Sequence, residues 1–134
     1  MNVVSQFARG ALGVAMLSVA AAPVAVAQDP VEVGPHIYTV VFENERVRVS
    51  EIHFNVGDSI PMHSHPDHFV YVLDPGTLQL SYPDGTTKDF AATPGQVIWS
   101  EAETHAAVNV GATEFRAVVV ELKEPAAVPA EAAQ

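Results

Sequence analysis

The stretch Gly57-Asp58-Ser59-Ile60-Pro61-Met62-His63-Ser64-His65-Pro66-Asp67-His68 places three imidazoles within one short, β-prone segment. On an extended backbone residues i and i+2 point the same way, so His63 and His65 present both rings to one side. Neutral imidazole is the commonest protein ligand for a divalent transition metal, and two from one strand form a preset chelate. A single His-x-His arises by coincidence with a probability of roughly 0.3 in a chain with this many histidines. A third histidine at this spacing lowers that to roughly 0.02, so the cluster rather than the pair is the signal.

A second cluster follows downstream, Glu101-Ala102-Glu103-Thr104-His105-Ala106-Ala107-Val108-Asn109. A lone histidine on a strand is more often a surface or hydrogen-bonded core residue than a ligand. His105 gains weight only in combination with the first cluster. Between and around the clusters, β-prone runs alternate with turn chemistry. Strands are expected near residues 36–42, 46–54, 68–73, 77–82, 86–91, 96–100, 105–110 and 114–122. The turns fall at Asn55-Val56-Gly57-Asp58, Asp74-Pro75-Gly76, Pro83-Asp84-Gly85, Pro94-Gly95 and Asn109-Val110-Gly111. Leu78, Leu80 and Tyr82 alternate with Thr77, Gln79 and Ser81, the period of a strand with one wet face. No clear apolar 3.6 period follows the first 27 residues. The expected fold is all-β, a single small barrel or jelly roll whose closure removes exposed edges.

The ends read differently. Residues 1–27 carry one early cation, Arg9, then an Ala/Val/Leu run, and finish Ala25-Val26-Ala27 before the polar Gln28-Asp29. That is the pattern of a cleavable signal peptide, and the run is short and broken by Pro23 for a permanent membrane anchor. The mature chain is therefore expected to be periplasmic or secreted, with no membrane association after cleavage. Residues 124–134, rich in Ala, Pro and Glu, hold too few large apolar groups to pack and are expected to be a disordered tail. The whole chain has 134 residues, 49% of them apolar, with 16 acidic against 6 basic side chains. Its formal charge of −10 excludes a phosphate-binding surface, so no nucleic-acid partner is expected. There is no cysteine, which leaves imidazoles to carry any metal site.

These residues resemble the cupin superfamily. Its first motif is Gly, five residues, His-x-His, three or four residues, Glu, six residues, Gly; Gly57, His63 and His65 fit it. Its second motif ends His, three residues, Asn, and His105 and Asn109 fit, preceded by Pro94-Gly95-Gln96-Val97-Ile98-Trp99. The likeness spans residues 38–123, and narrows toward small exported single-domain proteins of the type 2 cupin kind. Two departures stand out. Glu101-Ala102-Glu103 replaces the Pro-x-Gly before the second-motif histidine, and the ligand Glu of the first motif is missing. Counting from His65 puts Phe69 at its place; aligning on Tyr71-Val72-Leu73 puts His68 there. Strand phase favours His68, which shares a face with Val70 and Val72.

The resemblance implies a cupin jelly-roll barrel over residues 28–123 and a metal site of His63, His65 and His105, with His68 as a further ligand. An all-nitrogen set suits Fe, Zn, Cu or Ni better than Mg or Ca. Without a ligand carboxylate the ion keeps its charge and attracts an anionic or enolate-type molecule. The implied function is an exported metal-dependent cupin, of the dioxygenase type, acting on a small chelating or enolisable molecule. The alternatives are a non-catalytic module that binds metal or a small ligand, and a metal-free barrel whose histidines are structural. Glu101 and Glu103 are acid–base candidates if they point inward, but a solvated turn is the ordinary fate of such residues. Phe69, Tyr71 and Trp99 are expected in the core or a pocket wall. Arg46 and Arg48 can meet an anionic ligand or pair on the surface, and His36 and His53 lack motif partners. Dimers formed through edge strands are common among cupins, which makes the segment 37–42 a candidate homodimer contact.

Overall fold

The computed structural model describes residues 28–123; the expected signal peptide (1–27) and tail (124–134) lie outside them. One helical turn, α1 (Pro30–Val33), precedes nine strands: β1 (Tyr38–Glu43), β2 (Val47–Phe54), β3 (Ser59–His65), β4 (His68–Asp74), β5 (Gly76–Ser81), β6 (Thr87–Ala92), β7 (Val97–Ser100), β8 (Glu103–Asn109) and β9 (Phe115–Leu122). All pairings are antiparallel. They build a five-stranded sheet, β1-β2-β9-β4-β7, and a four-stranded sheet, β3-β8-β5-β6. The eight expected strands are present, with ends displaced by one or two residues. The ninth, β3, is the His-x-His segment itself.

The inner faces of the two sheets meet in a core of Ile37, Ile52, Phe54, Ile60, Val72, Leu78, Ala107, Phe115, Ala117 and Val119. Strand β9 shows why: Phe115, Ala117, Val119 and Glu121 are buried in strict alternation with more exposed neighbours. The opposite face of the five-stranded sheet is also apolar. Phe42 pairs with Val49, Val49 with Val120, Val120 with Phe69 and Phe69 with Trp99, a row crossing all five strands. Phe69 and Tyr71 therefore face away from the core, contrary to expectation. Trp99 also borders the interior cavity, but it is 54% exposed, and Tyr71 42%.

Register brings the two histidine clusters together. Gly57 adopts φ 83°, a left-handed conformation that favours glycine, and its N–H donates to the Asn109 carbonyl at 3.1 Å. The Asn109 N–H donates back to the Asp58 carbonyl at 2.9 Å. These two bonds fasten the start of β3 to the end of β8. A register shift between Ile60 and His63 then changes the strand's phase, so both Ile60 and His63 are buried although three positions apart. Pro61 sits in that bulge, where its missing N–H costs no ladder bond. Beyond it, His63 pairs directly with His105 and His65 with Glu103.

Asn109 is the pin of this arrangement. Its side-chain amide donates to the carbonyls of Thr113 (2.8 Å), Asn55 (3.2 Å) and Phe54 (3.3 Å), and its Oδ1 accepts from the Gly111 N–H at 3.0 Å. Asn109 is 2% exposed, so losing these bonds strands buried backbone groups. The Asn109→Ala variant should lose about 2–3 kcal/mol of stability, a fall of roughly 10–20 °C in Tm. Thermal unfolding followed by circular dichroism measures this; an unchanged Tm would remove Asn109 from this role.

Candidate metal centre

Five residues converge at one end of the barrel interior. His63 and His65 come from β3, His68 opens β4, and Glu103 and His105 come from β8. The four imidazoles are 1–7% exposed. One nitrogen from each of His63, His65 and His105 lies within 4.8 Å of the others. Ring centroids are 4.8 Å apart for His63–His65 and His63–His105, and 5.3 Å for His65–His105. His68 faces inward, as strand phase requires, with its ring 4.7 Å from that of His65. It stands beside the triad rather than within it.

Three of the four rings are fixed through Nδ1. His63 Nδ1–H donates to the Pro61 carbonyl at 2.8 Å, and His68 Nδ1–H to the Pro66 carbonyl at 2.9 Å. His65 Nδ1 lies 2.7 Å from Glu121 Oε1 and donates to that carboxylate. These bonds select the tautomer that leaves Nε2 a lone-pair donor toward the interior. His65 Nε2 has one weak contact, the Tyr38 hydroxyl at 3.5 Å. His63 Nε2 and His105 Nδ1 are buried with no hydrogen-bond partner among the described residues. His105 Nδ1 is 3.3 Å from Glu103 Oε1, close enough for attraction but poorly aligned for a bond.

Charge state follows from burial. Desolvation, opposed by the Pro61 bond and reinforced by His65 and His105, brings the His63 imidazole down to about 4. Burial likewise lowers His68. Both rings are therefore neutral, the form that can donate a lone pair to a metal. Burial opposes ionisation of Glu121, yet hydrogen bonds from His65 and Arg48 outweigh it and hold the carboxyl at about 2. Contact with His105 keeps Glu103 below the usual carboxylate range despite its partial burial. Burial first, and the charge of Glu121 second, keep the Tyr38 hydroxyl protonated far above the usual phenol range.

Glu121 links the site to a distant part of the chain. Its Oε2 accepts from Arg48 Nε at 2.5 Å, and Arg48 in turn donates to Asp29 Oδ2 at 2.6 Å. Asp29 Oδ1 caps α1 by accepting the Val31 N–H at 2.8 Å. Gly34, at the end of this turn, allows close approach to β3, because a Cβ there would overlap the Ile60 side chain. Arg48 is therefore an internal ion-pair partner rather than a surface charge, whereas Arg46 is exposed. The carboxylate Glu121 carries no sequence motif. Its signal is the β9 alternation, which puts an acid on the inward face after Phe115, Ala117 and Val119.

Two expectations need correction. β8 begins at Glu103, two residues earlier than expected, so Glu103 shares the inward face of His105 and lines the cavity. Its carboxylate also lies 3.9 Å from His68 Nε2. Glu101 alone is the exposed residue that a solvated turn supplies. His36 is exposed, and His53 makes an exposed pair with Glu114 at 3.0 Å; neither approaches the cluster.

No protein-family model matches the chain, and no curated protein matches it. Solved structures do. A cupin domain from Bordetella pertussis Tohama I is 34% identical, over 66% of this chain and 93% of that one, with a TM-score of 0.61. The chain belongs to the cupin superfamily. A double-stranded β-helix domain protein from Klebsiella pneumoniae is 24% identical over 68% of this chain and 75% of that one, with a TM-score of 0.55. The polyketide cyclase RemF from Streptomyces resistomycificus is 28% identical over 65% of this chain and 64% of its own, with a TM-score of 0.50.

In this cupin three buried imidazoles can hold a metal ion, and the chemistry of the donors fits one. His63 is neutral, His63 and His65 are oriented by hydrogen bonds through Nδ1, and one nitrogen each of His63 and His105 lacks any other partner. Glu121→Gln keeps the shape of the side chain but replaces the carboxylate that serves both His65 and Arg48. The variant should lose about 1–3 kcal/mol of stability and bind zinc roughly 10–100-fold more weakly. Urea unfolding and zinc titration by calorimetry read the two effects; wild-type zinc affinity would contradict the orienting role.

Proposed function

We propose that this chain is an exported metal-dependent cupin that binds Fe, Zn, Cu or Ni through His63, His65 and His105, with His68 as a further ligand. The carrying observation is the pair of buried, unpartnered nitrogens on His63 and His105 within the triad. Unpaired buried polar atoms cost free energy, and a bound cation removes that cost. A divalent ion in such a site supplies Lewis acidity toward ligand oxygens and stabilises an enolate.

The chain's own residues supply the rest. Pro61, Glu121 and Pro66 orient the imidazoles, and the barrel wall excludes water. Glu103, ionised beside His105 and His68, holds a proton acceptor at Oε1 next to the cluster. This favours a small chelating or enolisable substrate and an oxygenase-type reaction over a passive binding module. The polyketide cyclase among the similar structures supports the enolisable class, since polyketide chains are rich in enolisable carbonyls. Export is supported by the early cation Arg9, the Ala/Val/Leu run after it and the Ala25-Val26-Ala27 ending. A homodimer is supported by β1, an edge strand whose Val41 and Phe42 are both 53% exposed.

Untagged protein recovered from the periplasmic fraction tests the proposal. It should begin at Gln28, sediment at twice the chain mass and take up about one metal per chain by elemental analysis after reconstitution. His63→Ala and His105→Ala should abolish uptake, and His68→Ala reads whether the fourth imidazole is needed. Less than about a tenth of a metal per chain with every ion tried would overturn the metal reading. Oxygen consumption with a panel of diketones and phenolics then separates the enzyme from a binding module, which would be inert to all of them.

A further inference from the structure

Beyond the imidazoles the barrel interior is apolar. Phe54, Leu78, Phe90 and Phe115 line a cavity of about 270 Å³, near the lower end of the range for small-molecule sites. One cation borders it, the exposed Lys88 of the edge strand β6. On β6, Lys88 shares its face with Phe90 and Ala92, and both Lys88 and Phe90 line the cavity. Lys88 pairs with Leu80 on β5, and Leu80 pairs with Ala107 on β8, one inward position beyond His105. The strand carrying the ammonium is thus two strand spacings, about 10 Å, from the strand carrying His105.

Lys88 is free to receive an anion. Arg48, Arg116 and Lys123 are each engaged with carboxylates, whereas Lys88 has no ion pair or side-chain hydrogen bond among the described residues. In a chain of charge −10, an unpaired ammonium on a cavity wall is a selective feature. At the imidazole cluster the cavity repels negative charge through Glu103, which lies beside His105 and His68. Tyr82 also lines the cavity, edge-on to His105 with ring centroids 6.3 Å apart. Burial and then the charge of Glu103 raise its hydroxyl above the usual phenol range, so it remains a hydrogen-bond donor.

We infer that the cavity takes a compact monoanion with a flat apolar body, an aromatic-sized carboxylate, whose carboxylate pairs with Lys88 while its other end faces the imidazole cluster. The apolar body then rests on Leu80 and Tyr82, on the side of Lys88 that faces His105, and Lys88 determines specificity. This names the substrate class of the proposed metal site and rests on that reading for the chemistry, though not for the binding.

The probe pair is 4-hydroxybenzoate and its methyl ester, equal in ring but differing in charge. Calorimetry or saturation-transfer NMR on the mature protein, both chelator-treated and zinc-loaded, gives their affinities. The acid should bind about tenfold more tightly than the ester in both forms. Lys88→Met should abolish that preference, and Lys88→Arg should retain it. No binding of either probe, equal affinities, or a preference that survives Lys88→Met would overturn the inference. A preference that persists in protein unable to take up zinc removes the metal reading alone; zinc uptake without preference removes this inference alone.

Discussion

A crowded set of buried imidazoles imposes the constraint on which the rest of the site depends. Four rings lie within one end of the barrel, with neighbouring centroids separated by about 5 Å. Protonating several of them there would place like charges together out of water, and burial drives His63 and His68 toward the neutral form. A neutral imidazole has one N–H and one lone pair, and both need partners. Outward acceptors, the Pro61 and Pro66 carbonyls and the Glu121 carboxylate, take the N–H groups of His63, His68 and His65. The lone pairs are then directed inward with almost nothing to accept. A cation relieves that mismatch.

The supporting structure can be understood from the same requirement. A buried carboxylate at Glu121 is costly unless fully paired, and it is held by His65 on one oxygen and Arg48 on the other. Arg48 is satisfied in turn by Asp29, which also caps α1. The result is a chain of charged hydrogen bonds running from the start of the folded domain to the imidazole cluster. Removing any member takes a charged partner from its neighbour, which couples the stability of the N-terminal turn to the orientation of His65. Glu103 stands outside this chain. Its carboxylate has no strong cationic partner, and this leaves it available to a ligand or a proton.

Much of this was legible in the sequence, for identifiable reasons. His-x-His on an extended segment needs only the two-residue repeat of a strand, and His105 followed by Asn109 supplied its counterpart. Strand phase placed His68 inward because Val70 and Val72 share its face. The turn glycines marked the boundaries between strands. The bulge at Pro61 and Met62 was not legible, because a register shift is fixed by the pairing of β3 with β8 rather than by local pattern. Glu103 was misread because the strand was begun at His105; two residues more put it on the inward face. Glu121 was overlooked although the β9 alternation pointed to it, since an acid in an apolar row makes sense only once its partners, Arg48 and His65, are seen beside it. Hydrophobicity alone points Phe69 and Tyr71 inward, while their register puts them on the outer face of the five-stranded sheet; Trp99 borders the cavity as a wall residue.

The central claim is that His63, His65 and His105 turn one nitrogen each toward a shared metal position. Long-range 1H–15N NMR of the imidazoles, recorded on metal-free protein and after one equivalent of zinc, tests it most directly. The account predicts that at neutral pH His63, His65 and His68 carry their protons on Nδ1, and that zinc shifts one nitrogen in each of His63, His65 and His105. In His63 and His65 the shifted atom is Nε2. Protonated rings, Nε2–H tautomers at His63 and His65, or a spectrum indifferent to zinc would contradict it.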